Sequence, residues 1–174
     1  MCSAQQLRWI RPERTTSTEV GTNDWHERHT EGGPKIVDAA LKRLDKLVGT
    51  WELTGDAVGT VRYEWMKGGS FLLQHVDMEL FGHQTKGFEV IGRLLAFGSD
   101  EPSEDIHSQF YGTTGETFDY VYEVSEDGTT LTIWGGEKGS PAHYRGTFSD
   151  DGTVNAGTWH WPDGGYASTM TKTS

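Results

Sequence analysis

Apolar and polar residues alternate along most of this chain in short runs, and turn-forming pairs separate the runs. The runs fall at 50–55, 58–66, 71–80, 86–95, 106–112, 117–124, 129–134, 142–148, 154–161 and 166–172. A period of two is that of a strand with one face in a core. Between them stand Gly68-Gly69, Gly112 to Gly115, Asp127-Gly128, Asp151-Gly152 and Asp163-Gly164-Gly165, residues that reach positive φ at hairpin turns with little steric cost. One segment breaks the rule. From Lys35 to Val48 the apolar residues Ile36, Val37, Ala40, Leu41, Leu44, Leu47 and Val48 recur every three or four positions, which predicts an amphipathic helix. Pro34 suits its first turn and Gly49 its exit.

Ten strands at hairpin spacing leave no room for crossover helices, so neighbours must be antiparallel. So many strands in about 125 residues would expose sheet edges unless the sheet closes on itself. The expected fold is all-β: an antiparallel up-and-down barrel of about ten strands with one N-terminal helix, a sandwich being the alternative. The chain divides into a polar extension, 1–33, and a helix plus barrel, 34–174. The extension ends in Gly32-Gly33 yet contains Trp9, Ile10 and Trp25. These suit a subunit contact, and a homodimer therefore belongs among the expected partners.

Composition sharpens this picture. The 174 residues include 7 Trp, 6 Tyr, 7 Phe and 23 Gly, a set that favours strands and tight turns. The net charge of −11 opposes a phosphate backbone or an anionic bilayer, so neither nucleic acid nor membrane is an expected partner. Cys2 is the only cysteine, which rules out an internal disulfide. No stretch reads as a signal h-region or a spanning helix, and the expected location is cytoplasmic.

At the helix-to-strand junction stands Gly49-Thr50-Trp51, followed by Tyr63-Glu64-Trp65, Gly68-Gly69 and Phe71-Leu72. In this ordered set the chain resembles the calycin superfamily, and most of all a bacterial lipocalin-like family of unknown function. The resemblance covers about residues 38–172 and implies a barrel with an internal pocket. It also raises the nitrobindin-like barrels, which bind haem. Leu53 stands where their first spaced glycine belongs, and 166–172 lacks a histidine for the iron, so haem is the weakest of the functional readings and no cofactor is expected.

If Trp51 faces inward, alternation carries Val61, Tyr63 and Trp65 inward with it, and likewise Phe118, Tyr120, Tyr122 and Val124, and Gly157, Trp159 and Trp161. Rows of rings bearing hydroxyl and indole groups suit a pocket for a flat, partly polar molecule. Two strands are polar on both faces: 71–80, where either His75 or Gln74 looks inward, and 106–112, where His107, Gln109 and Tyr111 oppose Ile106, Ser108 and Phe110. The candidate ligand contacts are Tyr63, Trp65, His107, Gln109, Tyr111, Tyr120, Tyr122, Arg145, Trp159 and Trp161. His75 and His107 are candidates for proton transfer, since imidazole titrates near neutral pH. His143 shares with Arg145 the prospect of meeting an anionic group. His26-x-x-His29 has the spacing of a ligand pair but lies in the polar extension without further donors, and no metal is expected.

Two functions follow: binding of a small hydrophobic or aromatic molecule in the barrel, or a cofactor-independent enzyme of isomerase, cyclase or lyase type using the same chamber. The division of the chain makes a first prediction. Deleting residues 1–30 should leave the far-ultraviolet circular dichroism of the barrel unchanged; a truncated protein that does not fold would show that the extension belongs to the core.

Overall fold

The computed structural model describes residues 38–174. The extension, with Trp9, Trp25 and the His26/His29 pair, and the start of the expected helix lie outside the described residues. Asp38 caps a single α-helical turn, α1 (Ala39–Lys42), which tightens into a 3-10 turn over Arg43–Leu47. Asp38 has extended backbone angles, and its carboxylate accepts from the amides of Ala40 and Leu41 at 3.1 and 3.0 Å, filling donors that a first turn leaves open.

Ten strands follow: β1 (Gly49–Gly55), β2 (Ala57–Trp65), β3 (Phe71–Leu80), β4 (His83–Arg93), β5 (Ile106–Gly112), β6 (Thr117–Val124), β7 (Thr130–Gly135), β8 (His143–Phe148), β9 (Val154–Trp161) and β10 (Gly164–Lys172). Each pairs antiparallel with its neighbours in sequence, and β1 pairs with β10, so the sheet is a closed barrel. Trp51 lies opposite Lys172 on one side and Val61 on the other. Among the described residues no helix is long and apolar enough to cross a membrane.

The turns show why the punctuation works. Ser125-Glu126-Asp127-Gly128-Thr129 and Ser149-Asp150-Asp151-Gly152-Thr153 join β6 to β7 and β8 to β9. In each, one aspartate oxygen accepts from the serine hydroxyl and from the threonine amide and hydroxyl. Gly128 and Gly152 follow at φ of 70° and 68°, where a side chain would be strained.

The helical segment closes one end. Leu44 and Leu47 are fully buried beside Trp51 and Leu72. Gly49 makes the turn into β1 at φ 125°, where an added Cβ would lie 2.2 Å from the Ser174 carbonyl oxygen. The Trp51 indole donates to the Leu47 carbonyl at 2.6 Å, and the Trp65 indole to the Asp45 carboxylate at 2.7 Å. Trp65 therefore secures the plug. Arg93, at the end of β4, joins Asp38 through its Nε and, at 3.0 Å, its Nη2; it also donates to the carbonyls of Ser103 and Glu104.

The Arg93 guanidinium, with the two backbone amides, holds the Asp38 carboxyl down at about 2. A folded-state value below the ordinary one stabilises the protein above the unfolded value, and that stability is lost as pH falls through the folded value. Asp38→Ala should therefore cost about 1–2 kcal/mol in urea unfolding at pH 6. The gap between variant and parent should close as the pH approaches 2; a gap that stays constant with pH would mean the charge contributes nothing.

Candidate functional site

Every strand in a closed barrel has one face inside. The inward set here encloses a cavity of about 340 Å³, at the lower end of the range for small-ligand sites. Its mouth lies away from the helical plug, among Leu80, Phe118, Trp161 and Tyr166. The deeper wall is formed by Leu53, Val61, Leu131, Ile133 and Met170, with Tyr63, Tyr120, Tyr122, Tyr144 and Trp159 presenting rings between them.

Tyr63, Tyr120, Tyr122, Trp159 and Trp161 thus reach the cavity, as alternation from Trp51 implies. The other candidates do not. On β5 the inward residues are Ile106, Ser108 and Phe110, all buried, because burying two large apolar side chains outweighs the exposure of a polar row. His107, Gln109 and Tyr111 consequently lie on the outer surface, where Gln109 donates to Asp119 at 3.0 Å and Tyr111 stacks on Phe88 at 5.3 Å. His75 is also outside, 3.1 Å from the Glu64 carboxylate, and Gln74 takes the inward position. Arg145 lies outside opposite Thr132 and Thr158, between the inward Tyr144 and Gly146. His143 stands on the same outer face with its ring 5.5 Å from that of His160. No histidine reaches the chamber among the described residues.

The group at the centre of the site is Glu89, on β4, which is 3% exposed and lines the cavity. Ser108 donates to its Oε1, and Tyr122 donates to its Oε2 at 3.1 Å. Burial drives the carboxyl up to about 7, against the pull of those two hydroxyls. Tyr63 and Tyr122 are raised well above the ordinary tyrosine value, chiefly by burial and then by the field of Glu89. Gln74 donates its amide to the Tyr63 oxygen at 2.7 Å, leaving that phenol's proton directed elsewhere. Phe110, opposite Glu89 in the register, lays its ring over the strand at Gly87, where an added Cβ would come within 2.6 Å of Cζ. The missing side chain makes room for a ring beside the carboxyl.

A second polar pair sits across the cavity. Tyr144 donates to Asn155 Oδ1 at 2.6 Å, and the Asn155 Nδ2 has no partner among the described residues. The Tyr144 ring lies against Gly146 and Gly157, which face each other across β8 and β9; a Cβ at either would meet it within 2.7 Å. Two glycines in the wall are therefore the seat of a tyrosine.

Glu89 was not among the candidates drawn from sequence. In Phe88-Glu89-Val90-Ile91 alternation offers two apolar residues to one face and one to the other, so the run alone favours Phe88 and Val90 inside. The observed choice follows from the neighbours: Ile91 is fully buried opposite Leu72 and Ser108, and Glu89 must share its face. Pairing Ser108 with an acid two residues from its cross-strand partner was the available signal.

No protein-family model matches the chain, and neither does any curated protein. The closed ten-stranded antiparallel barrel is consistent with a calycin-like fold. No group of three or more metal-binding side chains occurs among the described residues.

The raised Glu89 carboxyl fixes a sign. An acid whose folded value is about 7 keeps its proton in the folded protein where the unfolded chain has lost it. Its contribution therefore diminishes as pH rises from about 4.5 to 7, by about 1.4 kcal/mol per pH unit at most. Glu89→Gln removes that slope. Between pH 5 and pH 8 urea unfolding should move in the variant's favour by about 2–3 kcal/mol relative to the parent; parallel curves would show that Glu89 titrates normally.

Proposed function

We propose that this protein binds a small hydrophobic or aromatic molecule inside its barrel. The observation that carries the reading is the cavity of about 340 Å³ with apolar and aromatic walls and a buried polar centre. Apolar walls supply affinity through area removed from water, while a few fixed polar groups orient the ligand. Tyr63, Tyr120, Tyr122, Trp159 and Trp161 are the proposed ligand contacts, with Glu89 and Tyr144 added to them. We also infer calycin kinship from Gly49-Thr50-Trp51 and Tyr63-Glu64-Trp65 on a barrel of this topology.

One observation favours a second reading. A carboxyl that exchanges its proton near neutral pH, hydrogen-bonded to a phenol inside a sheltered chamber, has the properties of a general acid–base. In an enzyme of the isomerase or lyase type Glu89 would hold that role, which the sequence had offered to His75 and His107.

A neutral apolar fluorophore, N-phenyl-1-naphthylamine, tests the binding reading. It should bind one to one, brighten, and quench the emission of Trp159 and Trp161. Met78 lines the cavity near the mouth, and Met78→Trp should abolish the signal while leaving the circular dichroism of the barrel intact. Equal binding by this variant would place the fluorophore on the outer surface and overturn the reading.

A further inference from the structure

The binding reading leaves open which chemistry the polar centre selects, and the wall itself supplies an answer. We infer that the cavity takes an organic cation: a protonated amine on an aromatic or branched hydrophobic body, its ammonium against the Glu89 carboxylate and its body against the tyrosine wall. This rests on the binding reading above.

Charge balance is the first argument. Among the described residues, no lysine, arginine or histidine lines the cavity. The groups that face Glu89 are Tyr63 from β2, Gln74 from β3, Ser108 and Phe110 from β5, and Tyr120 and Tyr122 from β6. All are neutral. The half-buried Asp38, by contrast, has a cation in Arg93. Glu89 has two hydroxyl donors, one on each oxygen, and a carboxylate offers about four acceptor sites. Acceptor capacity remains, and a ligand that brings both protons and a positive charge completes the site.

The walls make the second argument. Tyr63, Tyr120, Tyr122, Tyr144, Trp159 and Tyr166 line the same chamber, and the faces of such rings attract cations, most strongly where water is excluded. An anionic ligand finds no partner here. It would meet a buried carboxylate inside a protein of net charge −11, with no basic side chain to receive it. A neutral ligand satisfies the acid form alone, whereas an ammonium ion compensates the charge that burial makes costly. The elevated Glu89 value is the mark of a carboxyl without such compensation. Binding then moves one proton: the neutral acid gives its hydrogen ion to solvent, and the carboxylate so formed pairs with the ammonium.

Three compounds sharing one ring system test this: 1-naphthylmethylamine, 1-naphthylmethanol and 1-naphthoate. Calorimetry at pH 7.5 should show the amine binding at least about tenfold tighter than the alcohol, with the carboxylate weakest. In Glu89→Gln the preference for the amine over the alcohol should vanish. A readout on the parent protein alone does not depend on that variant folding. In buffers of different ionisation heat, amine binding should release about one proton at pH 5.5 and almost none at pH 8.5. Equal affinity for amine and alcohol, a preference that survives Glu89→Gln, or amine binding without proton release at pH 5.5 would each overturn the inference while leaving the cavity as a binding site. Failure of all three compounds together with N-phenyl-1-naphthylamine would overturn the binding reading itself.

Discussion

Closure of the sheet is the constraint on which the rest depends. Once β1 pairs with β10 through Trp51 and Lys172, no strand has a free edge and none can slip by one residue without moving its whole apolar set to solvent. The face of every residue is then decided collectively. Trp51 puts Leu53 inside; Ile91 and Leu72 put Glu89 and Gln74 inside with them. The polar residues of the chamber are carried there by their apolar neighbours on the same strands, and the wall has had to accommodate them.

That accommodation explains the character of the interior. Gln74 is bonded to Tyr63, Tyr144 to Asn155, and Glu89 to Ser108 and Tyr122. All but one of these pairs join neighbouring strands, the exception being Glu89 and Tyr122, which reach each other across β5, and each satisfies a desolvated group. Hydroxyls can be matched in this way, and so can amide groups apart from the Asn155 Nδ2. A carboxyl cannot be matched fully by neutral donors, because the Coulomb cost of burying its charge remains after the hydrogen bonds are made. The result is one group in the chamber that changes its state near neutral pH, with the rest fixed.

Much of the fold was legible because it depends on local chemistry. Strands and turns were marked by alternation and by glycine after aspartate, and the ten runs correspond to the ten strands within a few residues. Of the expected helix, the part from Asp38 onward is described, and it opens on a cap at that residue. Within the cavity, Tyr63, Tyr120, Tyr122, Trp159 and Trp161 could be placed because their strands have one clearly apolar face. The misplacements fell where a strand is mixed on both faces. His107, Gln109 and Tyr111 look like ligand contacts only until Ile106 and Phe110 claim the interior, and Arg145 is excluded by Tyr144. Trp65 faces inward as expected but lies beyond the cavity, under the plug. Glu89 escaped notice because its own strand argues against it; its position is a property of three strands in register.

The same two hydroxyls bear on both functions proposed for the chamber. A general acid–base must alternate between protonation states during turnover, so its partners must tolerate both. Ser108 and Tyr122 both donate to Glu89, an arrangement that serves the carboxylate. For an ammonium ligand the ionised form is the one needed, and both hydroxyls already point the right way. For proton transfer the neutral acid must also be held, and the Ser108 and Tyr122 oxygens, which can accept as well as donate, are placed to hold it. Both proposed functions therefore draw on the same two hydroxyls, and what separates them is whether the bound molecule brings a positive charge or a proton to be moved.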